Sequence, residues 1–180
     1  ITLSDLERQA RIIAVNRDGL QGLSALSNPS FIVSMMDFLI NQLLVIQEMR
    51  KLGATTQGLG EEDAVAELRK FRAHFSDETS YRSFLAGADL KEETIKEIVL
   101  RNMRVERFLD RKARQGVEIP VEDAEAFFNG NRSIFPQKTF AEAEAGVKEV
   151  MFRQRAEKFA KDYLQDLRSR YEVRIVAMPQ

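Results

Sequence analysis

Apolar residues along the chain recur mostly at helical spacing, and the densest stretch runs from Ser30 to Leu52. There Phe31, Met35, Phe38, Leu39, Leu43, Ile46 and Met49 fall at intervals of three and four, while Met36, Ile40, Leu44, Val45 and Leu52 widen the apolar face. Ser34, Asp37, Asn41 and Glu48 leave only a narrow polar strip. This pattern predicts a long central helix wrapped by neighbours on most sides, opened by Asn28-Pro29 and closed at Gly53. Polar residues interrupt the stretch and its longest unbroken apolar run is Leu43 to Ile46, short of the ~20 apolar residues a bilayer needs. No membrane insertion is expected.

Before that helix, Ile1-Thr2-Leu3 could end a strand, and Ser4-Asp5-Leu6-Glu7 has capping-box spacing for a helix carrying Leu6, Ile12, Ile13 and Val15. Residues 17–29 read as a loop. After a flexible Ala54 to Gly60 connection, Val65, Leu68, Phe71, Arg72 and Phe75 mark a second amphipathic helix. Ser76 caps a third, which carries Tyr81, Phe84 and Leu85 and ends at Gly87. Asp89 to Glu92 launches a long helix to about Arg114, with Ile95, Ile98, Val99, Met103, Val105, Phe108 and Leu109 as its apolar positions. Pro120 starts a short helix with Val121, Ala124, Phe127 and Phe128. Thr139 to Glu142 is a further capping box, opening a closing helix over 139–170. Residues 171–177 change to a period of two, the mark of a strand. A lone strand needs a partner, so the chain ends are expected to pair. The fold class is thus all-α, a multi-helix module with long central and closing helices plus a short terminal β pairing, over 1–180 as one domain whose N-terminal helical part is 1–131.

Composition narrows the chemistry. The 180 residues carry a net charge of −1, which supplies no general argument for nucleic acid as a partner. There is no cysteine, so no disulfide, thiolate metal site or cysteine nucleophile can form. The chain starts at Ile1 without an n-region and h-region, which reads as a processed or trimmed chain. His74, the only histidine, has no second histidine to share a metal, and no serine stands in a nucleophile elbow. Gly58 and Gly60 fit no phosphate-loop spacing, and Glu61-Glu62-Asp63 and Glu92-Glu93 lie where helix starts favour acid. Neither catalytic residues nor a cofactor are expected. Arg101, Arg104, Arg107, Arg111, Lys112 and Arg114 form a basic ridge, which helix-end electrostatics and a Glu97–Arg101 ion pair explain more simply than phosphate binding. Methionines 35, 36, 49, 103 and 151 and the twelve phenylalanines supply adaptable apolar bulk, most of it at core spacing.

The segment Leu39-Ile40-Asn41-Gln42-Leu43-Leu44-Val45-Ile46-Gln47-Glu48-Met49-Arg50-Lys51-Leu52-Gly53 resembles the long-helix signature of the SurA-type periplasmic chaperones, whose members often carry parvulin-type prolyl isomerase domains. Phe84-Leu85, Leu90 to Glu93, Val105 to Leu109, Val117 to Asp123 and Phe127-Phe128 follow that family's order. Ile1 to Leu6, Tyr163-Leu164 to Leu167-Arg168, and Val173 to Ile175 are similar to its terminal elements. The motifs are apolar patterns and caps spread over nearly the whole chain.

The departure is a missing insertion. In isomerase-bearing members a domain of about a hundred residues, a usual domain size, lies between the equivalent of Phe128 and the last helix, where this chain has only Asn129 to Lys138. The resemblance therefore implies a chaperone core without prolyl isomerase activity. It implies a periplasmic holdase that binds unfolded or nascent polypeptides, by family analogy outer-membrane proteins, in an apolar groove and without nucleotide. Met35, Met36, Phe71, Phe75 and Phe84 are the expected contacts, because their helices flank the Ala54 to Gly60 connection. The alternative is an assembly subunit with one dedicated partner, or a homodimer formed by strand exchange.

Overall fold

The computed structural model describes residues 1–54 and 58–173, and among these the chain forms seven α-helices, two 3-10 segments and no strand. The helices are α1 (Leu3–Asp18), α2 (Pro29–Lys51), α3 (Glu61–Arg72), α4 (Glu78–Gly87), α5 (Glu92–Gly116), α6 (Val121–Gly130) and α7 (Phe140–Arg170). The 3-10 segments are Gly19–Ser27, where a loop was expected, and Arg132–Ile134. The expected Ala54 to Gly60 connection falls partly on residues 55–57, outside the described residues.

Side-chain caps set where most of these helices begin. Asn28 accepts from the Ser30 N–H at 2.9 Å with Pro29 in the first turn, as the sequence predicts for α2. Thr139 and Glu142 form the expected box at α7, the Glu142 carboxylate accepting the Thr139 N–H at 2.8 Å. At α1 the box lies two residues earlier than expected: Thr2 accepts from the Asp5 N–H at 3.1 Å, and Asp5 accepts from the Thr2 N–H at 3.0 Å. Asp77, not Ser76, caps α4 by accepting from the Ser80 N–H at 2.7 Å.

Asp89 also changes role. Instead of opening α5 it takes a left-handed φ of +48° behind α4, with its N–H on the Ala86 carbonyl and the Leu90 N–H on the Leu85 carbonyl. That is a Schellman turn, and aspartate tolerates its left-handed position better than most residues.

The paired terminal strands are corrected by the same cap. Leu3 is already helical and Thr2 is committed to capping it, which removes the N-terminal strand. Tyr171–Val173 carry no strand, and positions 174–177 lie outside the described residues. The last residue of α7 and the one after it are instead tied to α2: Arg170 Nη1 and Tyr171 Oη donate to the Glu48 carboxylate at 3.2 and 3.0 Å.

Contacts divide the chain into two units, one of Ile1–Arg107 with the segment from Arg170 onward, the other of Phe108–Ser169. In the first, Ile12 and Val15 of α1, Leu68 and Phe71 of α3, Tyr81 of α4, and Ile95, Ile98 and Val99 of α5 form one buried cluster. In the second, Ala124 and Phe128 of α6 pack on Ala143, Val147 and Met151 of α7. Arg155 fixes that helix pair, donating to the Glu118 carbonyl at 2.7 Å and to Asp123 at 2.6 Å.

α2 is only partly the wrapped axle that its composition suggests. Its buried residues are Leu39, Ile40, Gln42, Leu44, Val45, Glu48 and Met49, all from Leu39 onward, while Val33, Phe38 and Leu43 are exposed. It is also the one helix among the described residues long and apolar enough to cross a membrane, with a mean hydropathy of 1.6 and 28% of the apolar window buried. The expected polar strip is corrected at Glu48, which is buried, and Gln42 beside the strip is buried as well. Gln42 Nε2 donates to Asn102 Oδ1 at 2.6 Å, and Gln9 Nε2 donates to the same oxygen at 3.2 Å. One amide of α5 thereby joins α1 and α2.

Two outcomes test this arrangement. Asn102→Ala strands the buried Gln9 and Gln42 amides, at a cost of about 1–3 kcal/mol for each unsatisfied group; urea denaturation should show a lower midpoint with an unchanged slope. For Glu48, burial pushes the carboxyl up, but hydrogen bonds from Tyr171 and Arg170 outweigh it and leave the net shift downward. A carboxylate lowered in the folded state stabilises above the ordinary glutamate value of about 4.3, and that contribution fades as pH falls through the lower folded value. Wild type should therefore melt above Glu48→Gln at pH 7, and the gap should close on acidification.

Candidate functional site

α1, the first 3-10 segment and the start of α2 pack on one another. Gly22 permits the close approach, since a Cβ there would lie 2.1 Å from the Ala14 carbonyl oxygen. The apolar pattern of α2 begins two turns before its neighbours cover it. Between these elements a groove of about 440 Å³ opens, walled by Leu3, Leu6, Leu26, Ile32, Val33 and Met36 and edged by Glu7 and Arg11. Val33 and Leu3 remain 46% and 56% exposed, so the wall continues onto an open apolar surface.

The expected contact residues separate into two places. Met36 lines the groove and Met35 is half-buried on the same turn of α2. Phe71, Phe75 and Phe84 come together elsewhere, as an aromatic knot with ring centroids 5.5 Å apart for Phe71–Phe75, 5.8 Å for Phe71–Phe84 and 5.2 Å for Phe75–Phe84. Tyr81 joins at 5.3 Å from Phe75. Phe71 is fully buried and Phe75 nearly so, which makes them core, with no surface for a ligand to touch in this conformation. Burial pushes the Tyr81 phenol upward, with Glu92 acting in the same direction, and the Arg72 guanidinium stands 4.9 Å from the centre of its ring.

Leu3, Leu26, Ile32 and Val33 are the groove residues that the helical pattern did not single out. For Ile32 and Val33 the apolar surplus of α2 was the only signal, and it did not say which half of the helix stays uncovered; Leu3 and Leu26, on α1 and the 3-10 segment, had none.

The basic ridge is rearranged. Arg101 turns inward, Nη2 donating to Gln9 Oε1 at 2.7 Å, and forms no ion pair with Glu97. Arg114 pairs with Asp110 at 2.9 Å and lies over the Phe152 ring, while Lys112 lies over Phe108. His74 is exposed, and among the described residues no group of three or more histidine, aspartate or glutamate side chains could hold a metal ion.

Burial separates the two sets of apolar residues in stability. Phe71→Ala should cost about 3–5 kcal/mol, as large-to-small changes in a closed core do, whereas Val33→Ala on the open wall should stay within about 0.5 kcal/mol; chemical denaturation of both measures the difference. Compared with known proteins, the chain matches no family model, no curated protein and no solved structure.

Proposed function

We propose that this chain is a non-catalytic chaperone module, a holdase that shields apolar segments of unfolded polypeptides in the groove at the start of α1 and α2. The observation that carries the reading is the groove itself: an open apolar wall of Leu3, Ile32, Val33 and Met36 at the uncovered end of the most apolar helix. Methionine and branched aliphatic walls adapt to irregular apolar partners and form no contacts that demand one sequence. Glu7 and Arg11 at the edge offer charge of both signs to a client backbone or side chain.

The order of apolar and capping motifs that resembles the SurA-type chaperones supports the periplasm as the place of work and outer-membrane proteins as clients. The same resemblance supports the absence of isomerase activity, since the segment between α6 and α7 is a short turn around Arg132–Ile134. The inward hydrogen bonds of Gln42 and Glu48 support a packed α2 over a membrane-inserted one. A dedicated partner, including a second copy of the chain, is the competing occupant, and exposed Phe38 and Leu43 on α2 favour it.

Met36→Glu together with Val33→Asp places charge on the open wall and leaves the aromatic knot untouched. Suppression of aggregation of a denatured outer-membrane protein should fall several-fold with the melting temperature little changed. Unaltered suppression by the folded double variant removes the groove from the function. A mass that rises with concentration in wild type and not in the variant moves the reading to self-association.

A further inference from the structure

α2 ends in a second Schellman turn. Gly53, at a φ of +58°, donates its N–H to the Arg50 carbonyl at 3.1 Å, and Ala54 donates to the Met49 carbonyl at 2.9 Å. The Leu52 N–H takes the Glu48 carbonyl at 3.0 Å. The backbone thus satisfies the Glu48, Met49 and Arg50 carbonyls at the helix end.

Beside this turn lies a groove of about 610 Å³ that Ile46 and Met49 line together with three cations, Arg50 of α2 and Arg101 and Arg104 of α5. None of the three is ion-paired to a carboxylate among the described residues. Arg101 is half-buried, gives one Nη to Gln9, and holds a buried Nε with no hydrogen-bond partner. Its burial lowers its basicity, and Asp5 and Glu97 oppose that only from beyond contact distance. Three like charges face one concavity with apolar residues in its wall.

We propose that this groove binds an organic anion that joins a carboxylate to an apolar tail. The planar guanidinium fork matches a carboxylate, and Arg50 and Arg104 are exposed in the groove with no carboxylate already paired to them. Ile46 and Met49 give the tail an apolar surface. The negative end of the α2 dipole, equivalent to about half an elementary charge, opposes the anion but is outweighed by three full charges. Attraction in a concave, partly apolar site is less screened than on open surface. Two sources carry this chemistry, a fatty acid and the C-terminus of a polypeptide ending in an apolar residue. The site does not rest on the holdase reading.

The test is calorimetric titration of the whole chain with decanoate, repeated on Arg50→Gln and Arg104→Gln. Both residues are exposed, and a thermal melt of each variant checks that it is folded. The expected result is saturable one-to-one binding that each variant weakens roughly tenfold, the scale of one charge-assisted hydrogen bond. A pentapeptide ending in a free leucine carboxylate, and the same peptide as its amide, then compete with decanoate. Displacement by the acid alone assigns the site to chain ends, and displacement by neither assigns it to fatty anions. No saturable decanoate binding, equal affinity in both variants, competition by decyltrimethylammonium, or equal displacement by the amide overturns the proposal.

Discussion

The first unit depends on one half-buried amide oxygen. Asn102 Oδ1 accepts one hydrogen bond from Gln42 of α2 and another from Gln9 of α1, and the side-chain oxygen of Gln9 in turn accepts from Arg101. Hydrogen bonds of this kind contribute little net stability while they are intact, but they penalise every packing that leaves a member unpaired. Apolar residues on α2 could slide past those on α1 and α5 at modest loss, because Leu, Ile and Val substitute for one another in a core. The amides cannot. They fix the register in which three helices meet, and Glu48 adds a fourth tie by holding Arg170 and Tyr171.

That register leaves the two halves of α2 in different surroundings. Its second half lies among covered side chains, while its first half, from Ile32 to Met36, faces the groove beside α1 and the 3-10 segment. A helix this apolar is usually either enclosed or in lipid; here polar side chains on its inner face hold one end and the other end stays available. The proposed client site is therefore a by-product of how α2 is anchored. The aromatic knot of Phe71, Phe75 and Phe84 serves the opposite purpose, closing the contact of α3 with α4 and giving the rest of the unit something rigid to pack on.

Local chemistry was legible where one interaction decided the outcome. Asn28-Pro29, Gly53 and the Thr139–Glu142 box set helix ends through contacts spanning a few residues, and the structure keeps all three. Where two caps competed within a few residues, spacing could not choose between them. Thr2 displaced Ser4 at the start of α1, and Asp77 displaced Ser76 at the start of α4. Asp89 carried an N-cap signal and is used behind α4, with its carboxylate 3.2 Å from Arg8 of α1, a partner that no local pattern reveals.

The candidate contact residues divided for the same reason. Periodicity says that Met36 and Phe71 are apolar positions on helices, and both satisfy that description. It does not contain the number of neighbours each will have.

By itself the sequence determined that the chain is helical, roughly where its helices run, and that its longest apolar stretch is one of them, because spacing, caps and turn residues act within a few positions. Only the tertiary structure decided which face of α2 is covered, that Gln42 and Glu48 turn inward while Leu43 turns out, and that Phe71 is sealed while Val33 is open. The physical reason is that burial and hydrogen-bond satisfaction belong to pairs of elements far apart in the chain, and Asn102 meets Gln9 across 93 positions through a contact only folding can make.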